Sequence, residues 1–296
     1  MNKIFIPYIK WLLCTLLVAL IVTSCTEDME LELEDTAPRL VVDGRISTDK
    51  QAHFVRLTSS GDYFKNEEAK AISNAQVRID NDESTITLIE HDDFPGYYFT
   101  PDDYQGQVGV TYKLYISDVD IDKDGKKEEY EASSLLNPVA PLDSVRLEYD
   151  ELYEFWKVLL YAQDPIDTKD FYSFSVAVND STISDRYSKL GFVDDKFFDG
   201  NYANGVWVYT LEEEDDDIKL KDGDWVRLTM GGINEDFYKF LEAIEIETGF
   251  KAPLFSGPPA NVPSNISNGA LGFFTAYSTS VDSVQFESIK SMSVNK

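Results

Sequence analysis

The residues best spaced for chemistry are the acids of Asp120-Ile121-Asp122-Lys123-Asp124-Gly125-Lys126-Lys127-Glu128-Glu129-Tyr130-Glu131. They follow the pattern D-x-D-x-D-G-x5-E. In that pattern three carboxylates turn inward, glycine permits the bend, the main-chain carbonyl at Lys126 faces the ion and Glu131 closes the shell with both oxygens. All donors are oxygens, which suits Ca2+, and a hard cation would relieve the repulsion among carboxylates held this close. Lys127 stands where helix-flanked loops of this type carry an apolar residue, and the flanks 111–116 and 130–135 read as strands. The loop is therefore expected on a β-hairpin, where Glu128 can replace Glu131 as the late ligand. A solvated Asp-Gly hairpin turn is the competing reading. The expected ion is stabilising rather than catalytic, because nothing nearby supplies a nucleophile or an acid.

Little else in the chain points to turnover. Its two histidines, His53 before a strand and His91 in a His-Asp-Asp turn, read as surface residues. No G-x-S-x-G, H-E-x-x-H or Walker sequence occurs, and 54 acidic residues conceal any pair placed for glycoside hydrolysis. The chain is therefore not expected to be an enzyme. The block 212–217 lacks glycine and alternate spacing, so it reads as a solvated loop, and Lys221-Asp222-Gly223-Asp224 reads as a turn. Tyr97, Tyr98 and Trp207 suit sugar stacking and a β core equally well.

The two cysteines bear on address instead. Lys3 and Lys10 form a basic start, 11–23 carries no charge, and Val22-Thr23-Ser24-Cys25 looks like a bacterial lipobox. Residues 1–24 are then a lipoprotein signal peptide, Cys25 is the lipidated first mature residue, and the apolar run is short for a membrane span. Cys14 leaves with the signal, so no thiol remains for a disulfide or a nucleophile. Residues 25–38 read as an acidic tether. Glu27 and Asp28 resemble the signals that send lipoproteins to the outer face of the outer membrane.

Positioning these residues falls to a β framework. The net charge of −28 repels phosphate backbones and excludes a nucleic-acid partner, while 43% hydrophobic and 13% aromatic residues leave ample material for packed cores. Short runs rich in Val, Ile, Tyr, Phe and Thr at 40–46, 54–58, 75–79, 85–89, 96–99, 110–116 and 130–135 predict an antiparallel β-sandwich over 39–138. Asn137-Pro138-Val139-Ala140-Pro141 breaks that pattern, and the boundary is placed there. A second β-rich domain follows over 139–296, with strands at 171–178, 206–210 and 224–230. At 152–160 helical and strand spacing compete. One helix is well signalled near 234–248, with Asn234 as cap, Phe237, Phe240, Leu241 and Ile244 on one face, and Gly249 at its end.

Tyr238-Lys239-Phe240-Leu241 and the segment Pro258-Pro259-Ala260-Asn261-Val262-Pro263-Ser264-Asn265-Ile266-Ser267-Asn268-Gly269-Ala270-Leu271-Gly272-Phe273-Phe274 resemble the terminal signature of the Bacteroidetes outer-membrane lipoproteins of domain-of-unknown-function family 4249. Pro38-Arg39-Leu40-Val41-Val42-Asp43-Gly44, Gln163-Asp164-Pro165 and Phe197-Phe198-Asp199-Gly200 agree with it. The resemblance implies a mainly β outer-membrane lipoprotein, often found with TonB-dependent receptors and without an established enzymatic role, and it favours strand at 157–162. Ser73-Asn74-Ala75-Gln76-Val77 with Gly96-Tyr97-Tyr98 gives the first domain an Ig-like, carboxypeptidase-regulatory-like look. Asp35-Thr36-Ala37, Asp143-Ser144-Val145, Asp180-Ser181-Thr182 and Asp282-Ser283-Val284 resemble O-glycosylation sites of exported Bacteroidetes proteins. The stiff terminal loop is expected to seal a core rather than bind a ligand. The function expected is a lipid-anchored, surface-exposed accessory binding protein serving a TonB-dependent receptor. The alternatives are a calcium-stabilised structural or adhesive envelope protein and a hydrolase.

Overall fold

A computed structural model of the chain describes residues 38–61, 69–81, 83–179, 181–212, 220–249 and 262–288. The chain from Ala37 onward forms one compact unit. It is mainly β, with several sheets and a single α-helix among the described residues.

The spine is a long mixed sheet. Its first half holds β1 (Leu40–Ser47), β2 (Phe54–Ser59), β5 (Ile89–His91) and β6 (Phe94–Phe99). Its second half holds β11 (Phe171–Val178), β12 (Ser181–Thr182), β13 (Gly191–Asp194) and β15 (Trp225–Ile233). The last described strand, β16 (Leu271–Gln285), joins them, giving the order β12-β11-β15-β16-β1-β2-β6-β5, with β13 beside β11. β16 runs parallel to β1, pairing Val41 with Leu271, and antiparallel to β15, pairing Trp225 with Gln285. Two smaller antiparallel sheets pack on one face of this spine. One contains β3 (Gln76–Asp80), β4 (Thr85–Thr87), β7 (Thr111–Val119) and β8 (Glu128–Leu135). The other contains β9 (Leu142–Asp150), β10 (Phe155–Gln163) and β14 (Tyr202–Glu212).

Alternation along the strands explains the layers. In β1, Leu40, Val42 and Ile46 are buried while Val41, Asp43 and Arg45 face the other side. The first core joins Val42, Leu57, Ile79, Leu114 and Phe274, and the second joins Val158, Leu160, Phe174, Leu228 and Met230. Leu136 belongs to the first core and Ala140 to the second, while Ile266, Ala270, Phe274 and Ala276 return to the first from the C-terminal part of the chain. The sheet nevertheless continues across both halves through β16. Strand wins over helix at 152–160: Leu152 and Tyr153 lie exposed in the β9–β10 turn, where Glu154 takes a φ of 57°.

Helix α1 (Glu235–Thr248) forms on the opposite face of the spine. Asn234 Oδ1 accepts the Phe237 N–H, a cap worth about 1 kcal/mol, and the acids Glu235 and Asp236 suit the positive end of the helix dipole. Its Phe237, Phe240 and Leu241 pack on Phe171, Ile233 and Phe273, as the sequence spacing requires.

The terminal signature leads into a central strand. Asn265 acts as a one-residue strand partner: its Oδ1 accepts the Phe274 N–H at 2.9 Å and its Nδ2 donates to the Phe274 carbonyl at 2.7 Å. Ser267 clasps the β8 edge in the same way, with its N–H donating to the Glu131 carbonyl and its Oγ accepting the Glu131 N–H. Ile266 and Ala270 are buried in the first core, so this segment seals it. Gly272 has a φ of 89°, and a Cβ there would lie 1.9 Å from the Val42 carbonyl oxygen, so the β1–β16 pairing admits glycine alone.

Candidate functional site

The acidic loop sits at the tip of the β7–β8 hairpin. Carboxylate oxygens of Asp120, Asp122 and Asp124 lie within 4.8 Å of one another. Main-chain groups organise them: Gly125 N–H donates to Asp120 Oδ2 at 3.1 Å, Asp124 N–H to Asp122 Oδ1 at 3.1 Å, and Lys126 N–H to Asp124 Oδ1 at 2.7 Å. Lys123 and Gly125 both adopt positive φ to make the bend. Lys126 Nζ also bonds Asp124, and its side-chain and main-chain hydrogen bonds hold that carboxyl below the usual range. Asp120 Oδ1 is shut off from solvent and has no hydrogen-bond partner among the described residues. Glu128 begins β8 beside the loop, its Oε2 accepting the Ile121 N–H at 3.2 Å. Glu131 lies three residues further along the strand and pairs with Tyr115, outside the cluster of three aspartates. Of the six candidate ligand residues, the structure clusters the carboxylates of Asp120, Asp122 and Asp124; Lys126 follows in the same turn, Glu128 is tied to it through Ile121, and Glu131 lies further along β8.

A second arrangement escaped sequence reading. Beyond the end covered by α1, the outer face of the spine forms a groove of about 660 Å3. Its floor is small and hydroxylated: Ser173 sits opposite Gly231, which sits opposite Thr279, and Ser175 opposite Thr229. Arg45, Arg56 and Arg227 line it from β1, β2 and β15. Arg45 is committed locally, since its Nε and Nη2 donate to the two oxygens of Asp43 at 3.1 and 3.3 Å and its guanidinium stacks 4.5 Å from the Tyr187 ring centre. Burial opposes its charge, but Tyr187 and Asp43 outweigh that and raise its pKa above the ordinary value. The Tyr187 hydroxyl donates to Asp43, and burial followed by the Asp43 charge pushes that phenol well up. Arg56 lies 5.2 Å over the Tyr97 ring, and neither Arg56 nor Arg227 has a carboxylate at ion-pair distance among the described residues. Asp49, also in the groove, accepts from the hydroxyls of Thr279 and Ser47.

Three sequence expectations are refined here. His53 is buried rather than superficial, at 5% exposure: Nε2 lies 3.1 Å from the Asp49 carbonyl, Tyr104 packs edge-on, and burial lowers its pKa. It precedes β2 at a bend that turns the ring inward. The aromatics divide, with Tyr98 in the first core, Tyr97 at the groove and Trp207 half exposed on β14. Gln163-Asp164-Pro165 and Phe197-Phe198-Asp199-Gly200 meet in a loop clasp: Asp164 accepts from the Tyr172 hydroxyl at 2.7 Å and the Gly200 N–H at 3.0 Å, and Asp195 accepts from the Asp170 N–H at 2.7 Å. Cys25, residues 1–24, most of the tether and the acids 213–217 lie outside the described residues.

A search of curated proteins returned no match. The family model described as Domain of unknown function (DUF4249) matches residues 26–283. The match takes in the hairpin loop, the groove strands and the clasped terminal segment alike, and the chain belongs to the DUF4249 family.

Proposed function

We propose that the protein is a lipid-anchored binding protein of the outer membrane, held through Cys25 and facing the cell exterior, which captures a polar, anion-bearing ligand in the groove for a TonB-dependent receptor. The observation that carries this reading is Arg56 and Arg227 beside a hydroxylated floor, without a described carboxylate partner, in a chain of net charge −28. In so acidic a molecule a stray arginine finds a carboxylate easily, so two kept clear over one concavity suit an incoming carboxylate or sulfate, with Tyr97 offering a stacking surface. The proposal is for binding without turnover.

The test is calorimetric titration of the purified chain with acidic oligosaccharides and acidic peptides, against neutral analogues of equal length. Binding confined to the acidic ligands, weakened about tenfold or more in both Arg56→Ala and Arg227→Ala, is expected. Equal or absent binding of acidic and neutral ligands, or affinities unchanged in both variants, would sink it. Calcium at the hairpin forms part of the same proposal as a rigidifying ion. The D-x-D-x-D-G spacing and the unpartnered, solvent-shielded Asp120 Oδ1 support it.

A further inference from the structure

The second core is not filled. Between the β9-β10-β14 sheet and strands β11, β13 and β15 lies a cavity of about 350 Å3, within the range of small-molecule sites. Its walls are mostly apolar, with Leu160, Phe174 and Met230 among them. The space arises where Ala140, Ala162 and Ala203, each at most 9% exposed, occupy core positions whose neighbours are Leu, Val and Phe. Close packing is the rule in protein interiors, and a mostly apolar space of this size is open to apolar guests. The β10–β14 ladder carries register irregularities at Val158/Leu159 and Leu160/Tyr161. Val206 and Trp207, paired with Leu160 and Leu159 between these irregularities, line the cavity yet remain 46% and 52% exposed, which marks its outer end.

One wall is polar. Asp164, 5% exposed, and Tyr172, 4% exposed, border the cavity and are bonded to each other. An ionised carboxylate offers about four lone-pair sites, and Asp164 uses two of them, on Tyr172 and Gly200. What remains is acceptor capacity in a water-poor place, which selects a guest that donates.

We propose that this cavity binds a small, largely hydrocarbon molecule carrying one hydroxyl or amino group, with the hydrocarbon between the sheets and the donor on Asp164. The site meets the arginine groove only at Leu190, and the proposal is independent of the reading given to that groove. Burial, reinforced by Asp195 and Asp170, raises the Asp164 pKa against the pull of its two hydrogen bonds, so a donor hydrogen bond would favour the ionised form.

The probe is N-phenyl-1-naphthylamine, which fluoresces in apolar surroundings and carries a single N–H. Its partner is 1-benzylnaphthalene, in which a methylene replaces the N–H. With the full chain, saturable one-site binding of the amine is expected, about tenfold tighter than of the hydrocarbon. Ala203→Phe and Ala162→Leu should each weaken both probes at least about tenfold while keeping a cooperative melting transition. Asp164→Asn should bring the two probes to similar affinity. Should the filling variants fail to fold, quenching of tryptophan emission on adding the amine, reduced in Trp207→Phe, reports the location instead. No saturable binding of either probe, undiminished binding in the folded filling variants, or quenching unchanged in Trp207→Phe would overturn the proposal.

Discussion

Removing the side chain of Asn265 is the sharpest test of how the terminal segment holds the fold. Asn265→Ala deletes three hydrogen bonds, two to the main chain of Phe274 and one from Nδ2 to the Ser133 carbonyl at 3.3 Å. Phe274 is 0% exposed, so its N–H and C=O lose their partner where water does not reach. A buried polar group left unmatched costs about 1–3 kcal/mol, and two such groups plus the weaker third bond give roughly 3–5 kcal/mol. For a unit of this size each kcal/mol moves the melting temperature by about 2–4 °C, so a fall of roughly 10 °C is expected. The assay is thermal unfolding followed by circular dichroism, with urea unfolding as a second measure. Asn268→Gly is the control: Asn268 is exposed with a φ of 54°, which glycine adopts freely, so its change should stay within about 0.5 kcal/mol. A fall below about 2 °C for Asn265→Ala, or equal losses in both variants, would refute the strand-partner role.

Further predictions address other levels of the structure. Gly272→Ala should destabilise by about 3 kcal/mol or more, read by the same melts, because its Cβ meets the Val42 carbonyl at 1.9 Å and the residue must also hold a positive φ. After chelation, calcium should raise the melting temperature of the unmutated chain and leave Asp122→Ala unmoved; equal temperatures with and without calcium in the unmutated chain would remove the ion from the account. His53 has a folded pKa below its unfolded value, so the unfolded chain binds the extra proton first and stability falls as pH drops from 7 through the 6.5 of free histidine. His53→Gln should flatten that part of the stability profile relative to the unmutated protein. Cys25→Ala should release the protein from membrane fractions while circular dichroism of the β unit stays unchanged.

Local patterning made much of this architecture legible. The run 171–178 coincides with β11, and the Asn234 cap, the phenylalanine stripe and Gly249 delimit α1 to within a residue, because each signal is local. The strand β16 was not legible. Phe273, Phe274, Thr275 and Ala276 are buried in succession, so a strand covered on both faces shows no alternation, and its Ser/Thr-rich remainder resembles a loop. The D-x-D-x-D-G spacing was readable as a motif, and strand geometry sets Glu128 at the start of β8 with Glu131 three residues further along it. The groove draws one to three residues from each of several strands distant in sequence, and no window of residues contains it. His53 misled for a related reason: Tyr104, far along the chain, packs edge-on against the ring.

The placement of β16 beside β1 has a consequence for how the molecule comes into being. β1 is the first described strand to leave a ribosome, and the partner that covers its inner edge is the last described strand. Until then the first sandwich lacks Phe274 and Ala276 from its core, and β15 lacks the neighbour that closes the second. Completing either half therefore depends on the same late strand, a pairing of high sequence separation. A protein arranged in this way closes its central sheet only once β16 has been made.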